Sequence, residues 1–214
     1  IGVFDSGLGG LTVLRELKEL MPFEKFIYFG DTAHIPYGNK TPKTIQKYCK
    51  KITTFLFNQD IKIIVVACNT ASSVALETIK QASLVPVIDV ISPAINKITK
   101  LSKSKKIGII GTTATINSNE YQNQIIAQNK NIEIFSCACP LFVPIIEEGL
   151  FNHPIAEKTI KHYLDKLCDK NIDTLILGCT HYPIMKEKIK KHINTNITII
   201  DSAKVVAENV KLVL

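Results

Sequence analysis

Asp60-Ile-Lys-Ile-Ile-Val-Val-Ala-Cys68-Asn-Thr70 and Asn171-Ile-Asp-Thr-Leu-Ile-Leu-Gly-Cys179-Thr-His181 are two versions of one motif. In each, an isoleucine opens an apolar run seven residues before a cysteine, a small residue precedes that cysteine, and polar residues lead into a helical pattern. Continuous β-branched runs of this kind read as strands buried on both faces, as in parallel sheets. Ile1-Gly-Val-Phe-Asp-Ser-Gly7 and Ile107-Gly-Ile-Ile-Gly-Thr-Thr113 correspond in the same way, at nearly the same offset. The repeat predicts two similar α/β lobes related by a pseudo-twofold axis, with a site in the cleft between them.

Outward from these motifs, strands are expected at 1–4, 26–29, 61–67, 85–90, 106–110, 132–138, 174–177 and 197–200. Amphipathic stretches at 12–20, 41–57, 72–81, 118–128, 156–169 and 184–193 predict the intervening helices. Alternating β and α gives each lobe a mainly parallel sheet flanked by helices. A boundary is expected near Ser92-Pro93, where proline interrupts the preceding strand pattern.

The 214 residues are 46% apolar and 21% charged, which excludes a disordered chain, and no apolar run approaches the ~20 residues of a membrane helix. Ile1 to Gly10 reads as a strand and turn without a basic flank or cleavage site, so no secretory signal is expected, and the expected setting is cytoplasmic. The net charge of +7 permits an anionic partner, yet Arg15 is the only arginine among 26 basic residues, and the lysines are scattered. That argues against nucleic acid as partner, since specific phosphate and base recognition leans on the guanidinium fork. Six cysteines without a C-x-x-C spacing point neither to a disulfide framework nor to a metal site, and Cys137-Ala-Cys139 is too tight for a zinc knuckle. Most of the thiols are expected to be small buried hydrophobes.

In an open α/β sheet the ligand crevice lies beyond the carboxyl ends of the strands, which is where Asp5, Cys68, Thr112 and Cys179 would sit. Each cysteine directly precedes a helix, whose amides and dipole are expected to draw the thiol toward neutrality. Equivalent thiols facing one another across a pseudo-twofold axis suit a reaction that deprotonates a carbon on one face and reprotonates it on the other, namely racemisation or epimerisation. Asn69, Thr70, Thr180 and His181 are explained as helix caps or as substrate-binding groups, and one residue can serve as both. Asp5-Ser-Gly-Leu-Gly-Gly10 lacks the spacing of a dinucleotide loop. It reads as a turn needing glycine dihedrals, or as a turn that delivers a carboxylate and a hydroxyl to the crevice. His34, His153, His162 and His192 are expected on loops or helix surfaces, whereas His181 stands beside Cys179.

Taken together, Gly2-Val-Phe-Asp-Ser-Gly-Leu-Gly-Gly-Leu-Thr12, Asp31-Thr-Ala-His-Ile-Pro-Tyr-Gly38, Val66-Ala-Cys-Asn-Thr-Ala-Ser72, Gly111-Thr-Thr-Ala-Thr115, Pro140-Leu-Phe-Val-Pro-Ile-Ile-Glu-Glu-Gly149 and Gly178-Cys-Thr-His-Tyr-Pro183 closely resemble bacterial glutamate racemase. The resemblance spans essentially the whole chain. It implies cofactor-independent interconversion of L- and D-glutamate, with no metal, supplying D-glutamate for peptidoglycan. It makes Cys68 and Cys179 the acid/base pair, Cys68 acting on the D enantiomer and Cys179 on the L enantiomer. It implies that Asp5, Glu147 and His181 tune the thiols, and that Asp5, Ser6, Tyr37, Gly38, Asn69, Thr70, Thr180 and His181 bind substrate, with Thr112 and Thr115 as further candidates.

Relatives of that kind usually carry a few residues before the first strand and a longer C-terminal stretch, and are often homodimers. Against them this chain reads as a fragment whose first lobe is 1–93 plus a returning helix at 202–214, and whose second lobe is 94–201. Three other readings remain at this level: a racemase for aspartate or another amino acid, a metal- or redox-sensing thiol protein, and a nucleic-acid-binding module.

Overall fold

The computed structural model describes residues 1–214, the side chains of residues 100 and 101 excepted. Two four-stranded, all-parallel sheets are built the same way. The first runs β2(Ile27–Gly30), β1(Gly2–Asp5), β3(Ile64–Val66), β4(Val87–Asp89), and the second runs β6(Glu133–Ala138), β5(Lys106–Gly111), β7(Thr174–Gly178), β8(Thr198–Asp201). The central pairs are in matching register, Gly2 opposite Ile64 and the equivalent Gly108 opposite Leu175. Both copies of the repeated motif begin with a residue in left-handed conformation, Asp60 at φ 53° and Asn171 at φ 51°. Asp and Asn are among the few residues that tolerate that region.

The helices are α1(Leu11–Leu20), α2(Pro42–Phe57), α3(Asn69–Ala82), α4(Ser92–Leu101), α5(Thr113–Asn117), α6(Glu120–Gln128), α7(Phe142–Glu147), α8(Pro154–Cys168), α9(Lys186–Lys191) and α10(Ser202–Val213). Side chains alternate along the strands. Val3, Ile63, Val65, Ile107, Ile109 and Ile176 face one inner apolar layer shared by both sheets, which α1, α4, α6 and α10 complete. Phe4, Ile64 and Val66 turn outward to α2 and α3, whereas Ile110, Leu175 and Leu177 turn outward to α7, α8 and α9. Helix α10 lies along α1, burying Val206 and Val210. Among the described residues no helix is long and apolar enough to cross a membrane.

Three local features add to or correct the expected elements. The strand before Pro93 ends at Asp89, and Pro93 occupies the first turn of a helix, α4, that was not expected; the Asp89 carboxylate accepts the Ile91 and Ser92 amides at 2.7 and 2.8 Å. A helix start has no use for the amide that proline lacks. The helix expected over 118–128 is found as α6, beginning at Glu120 after the left-handed Asn119, and is preceded by a short helix, α5, that was not expected. The helix expected over 184–193 is a 3₁₀ turn at Tyr182–Met185 followed by the shorter α9.

Leu17 of α1 is fully buried in the inner layer. Leu17→Ala should cost about 2–5 kcal/mol by lost transfer energy plus cavity, seen in urea titration as a lower midpoint at unchanged slope.

Candidate active site

The carboxyl ends of β1, β3, β5 and β7 converge on one cavity. Cys68 follows β3 and caps α3: its sulfur accepts the Ala71 amide at 3.4 Å and lies 3.6 Å from Ser6 Oγ. Cys179 directly follows β7, with its sulfur 3.8 Å from His181 Nδ1. Both sulfurs belong to residues that are buried and line the same cavity, together with Ser6, Tyr37, Gly38, Asn69, Thr70, Thr112, Thr180 and His181. The remaining candidates stand one layer back. Asp5 accepts the Gly7 amide at 2.9 Å and the Thr180 hydroxyl at 3.2 Å, Thr115 lies behind Thr112, and Glu147, at the end of α7, hydrogen-bonds His181 Nε2.

Three hydroxyls meet where the lobes touch: Thr70 Oγ1 is 2.9 Å from Thr112 Oγ1 and 3.2 Å from Thr115 Oγ1, and those two are 2.9 Å apart. Tyr37 is held by its hydroxyl, which donates to Asp31 Oδ2 at 2.6 Å. The other oxygen of Asp31 holds His34 at 2.7 Å. The sequence gives Asp31 no role of its own, and the acceptor it supplies to Tyr37 appears only once the loop is folded. Ile35, Pro36 and Val143 also wall the cavity. Apolar wall residues carry no signal of their own in a sequence.

The glycines of the β1–α1 turn are not there for their dihedrals, since Gly149 is the one glycine at positive φ. They are there for contact. A Cβ on Gly9 would fall 2.5 Å from both His181 Nδ1 and Thr180 Oγ1, and one on Gly10 would fall 2.4 Å from Asp5 Cβ. Gly38 meets Thr112 in the same way, at 2.6 Å. First-lobe backbone therefore lies directly on second-lobe side chains at two places beside the cavity.

The expected drift of both thiols toward neutrality is reversed. Burial pushes the Cys68 thiol up to about 12, the nearby Asp5 carboxylate adds to this, and the Ala71 amide and Ser6 offset only part. Burial likewise pushes Cys179 up, against the His181 and Tyr182 amides, with Cys68 and Asp5 adding to the rise. Desolvation of a thiolate outweighs one or two amide donors. Burial also raises the Asp5 carboxyl, partly countered by His181 and by the turn amides.

All six cysteines are free. Among the described residues no three His, Cys, Asp or Glu side chains cluster as a metal site requires. A larger hollow of about 120 Å³ between α8 and the segment that follows α9 is lined mainly by Leu164, Leu167, Ile172, Leu175, Ile193 and Ile197, and lacks the convergent polar groups of a reaction site.

A family profile described as Asp/Glu/Hydantoin racemase matches residues 1–210. The chain belongs to that racemase family. Among its racemase relatives, the glutamate racemase of Sulfurihydrogenibium sp. (strain YO3AOP1) is 48% identical over 212 residues, covering 99% of this chain and 81% of its own length. That of Persephonella marina is 49% identical over 207 residues, covering 97% and 79%. The crystal structure of glutamate racemase from Francisella tularensis subsp. tularensis SCHU S4 in complex with D-glutamate superposes with a TM-score of 0.95 at 45% identity, over all of this chain and 80% of that one. Picrophilus torridus aspartate racemase, at 17% identity and a TM-score of 0.70, shares the fold.

The raised thiols set a pH dependence. A thiol whose folded pKa lies above its unfolded value of about 9 stabilises the fold below pH 9 and loses that contribution as pH climbs toward 12. The melting temperature should therefore fall above pH 9, and less steeply in Cys68→Ala than in the wild type, as differential scanning fluorimetry between pH 7 and 10.5 would record.

Proposed function

We propose that this protein interconverts L- and D-glutamate without a cofactor, in the cytoplasm, supplying D-glutamate for peptidoglycan synthesis. The observation that carries the reading is the pair of buried sulfurs, Cys68 and Cys179, at equivalent ends of two equivalent sheets and on one polar cavity. The substrate is supported by relatives named glutamate racemase that match nearly the whole chain at 45–49% identity, and by the Francisella structure, which is of a complex with D-glutamate. The working parts in this reading are a first lobe of 1–93 with 202–214 and a second of 94–201.

One cysteine enters turnover as thiolate and the other as thiol. The thiolate takes the α-hydrogen as a proton, and the bonding pair stays on Cα. The opposite thiol then delivers its proton to the other face, so the pair leaves with its protonation states exchanged and the substrate inverted. Cys68 acts as base on D-glutamate and Cys179 on L-glutamate. A thiolate that is costly to form is a strong base once formed, and the nearby Asp5 carboxylate strengthens Cys68 further. Beside Cys179, a carboxylate on His181 Nε2 fixes the ring so that Nδ1 faces the sulfur. The α3 N-terminus with Asn69 and Thr70, and Thr180 and His181 across from them, supplies donors for the two carboxylates.

The cavity holds about 20 Å³ of free volume, roughly one water. Glutamate is admitted only when the two walls part, and closure around it leaves the reacting carbon dry.

Cys68→Ser and Cys179→Ser should each lower racemisation of L-glutamate by ~10² or more, the usual contribution of a positioned proton-transfer group. Chiral chromatography in heavy water would check this, with wild type placing solvent deuterium on Cα of the product. Full turnover by either variant would overturn the reading, and faster turnover of L-aspartate would move the substrate.

A further inference from the structure

Tyr121, on α6 of the second sheet's half, is fully buried and touches both cysteine motifs. Its hydroxyl donates to Asn69 Oδ1 at 2.6 Å, next to Cys68, and its ring edge lies 3.4 Å from where a Gly178 side chain would begin, next to Cys179. Asn69 is 2% exposed and lines the cavity, and its Nδ2 has no hydrogen-bond partner among the described residues. A buried, unpaired amide N–H₂ is costly in a native fold unless something is meant to meet it. A terminal amide can turn over, presenting oxygen instead of nitrogen, and a partner on one end is what decides between the two. Tyr121 supplies that partner. Its hydroxyl proton goes to Oδ1, which leaves Nδ2 free.

We propose that Tyr121 is a positioning residue for the reaction: its hydroxyl, reaching across from the second half of the chain, locks the Asn69 amide with nitrogen toward the cavity, where it donates to a substrate carboxylate. This rests on the glutamate reading for the identity of the carboxylate, though the lock itself does not. An oxygen turned into the cavity would repel a carboxylate, whereas the locked nitrogen attracts it before and during proton transfer alike. Tyr121 therefore acts on binding and hardly on the chemical step.

Tyr121→Phe removes the hydroxyl and keeps the ring against Gly178. We expect KM for both glutamate enantiomers to rise about tenfold, with kcat within about twofold of wild type, as the loss of a binding interaction shared by ground and transition states requires. In an Asn69→Ala background the same change should have no further effect on KM. An unchanged KM, a fall in kcat alone, or an equal KM effect with and without Asn69 would overturn the proposal. The Asn69 side-chain amide signals in ¹⁵N–¹H spectra, assigned by their loss in Asn69→Ala, give a second reading without substrate. They should shift in Tyr121→Phe, and signals that stay in place would overturn the lock. Wild-type protein that leaves glutamate unchanged would defeat the glutamate reading alone, and the amide spectra would still decide on Tyr121.

Discussion

Removal of the inner faces of both sheets from water, into a single apolar layer, is the constraint on which the geometry of the site depends. Val3 and Val65 from one sheet, Ile109 and Ile176 from the other, and Leu17, Ile98, Ile125 and Val206 from the helices between them share that layer. Because every strand is parallel, sealing the inner faces together directs both sets of carboxyl ends toward one place. The cysteines need no special device to meet, since each is the residue at which a central strand gives way to the following turn or helix. The price is a site whose walls touch, with Gly9 and Gly38 bringing backbone onto Thr180, His181 and Thr112.

The electrostatics follow from that contact. Dry surroundings raise both thiols and the Asp5 carboxyl together, and the amides at the helix start cannot compensate. The site is selective for the neutral form of its own acids while it is shut. Charge enters with a substrate that brings an ammonium and two carboxylates, and the free donors around the cavity are arranged for the negative part of it.

Much of this architecture is legible in the chain because the signals are local. Eight apolar runs mark eight strands, and the repeated Ile-to-Cys spacing marks the two centres of the site. What escapes is whatever depends on a partner far away in sequence. Pro93 reads as the end of a strand pattern, and the helix it starts shows only once the Asp89 carboxylate is seen capping it. Gly9 reads as a turn residue until His181 arrives from the other half of the chain. The sign of the thiol shift escapes for the same reason, since a helix N-terminus can be inferred from sequence whereas the depth of burial cannot. Asp31 and Tyr121 have no local pattern, because each matters through one hydroxyl contact made in the folded state.

The burial of the two sulfurs also bears on durability. Oxidants and alkylating electrophiles attack thiolates that solvent can reach. Cys68 and Cys179 are 4% and 6% exposed and hold their protons, whereas Cys168 sits exposed at the end of α8. Peroxide meeting the protein encounters a sulfur at the periphery first, while the two that line the cavity are shielded by the walls around them.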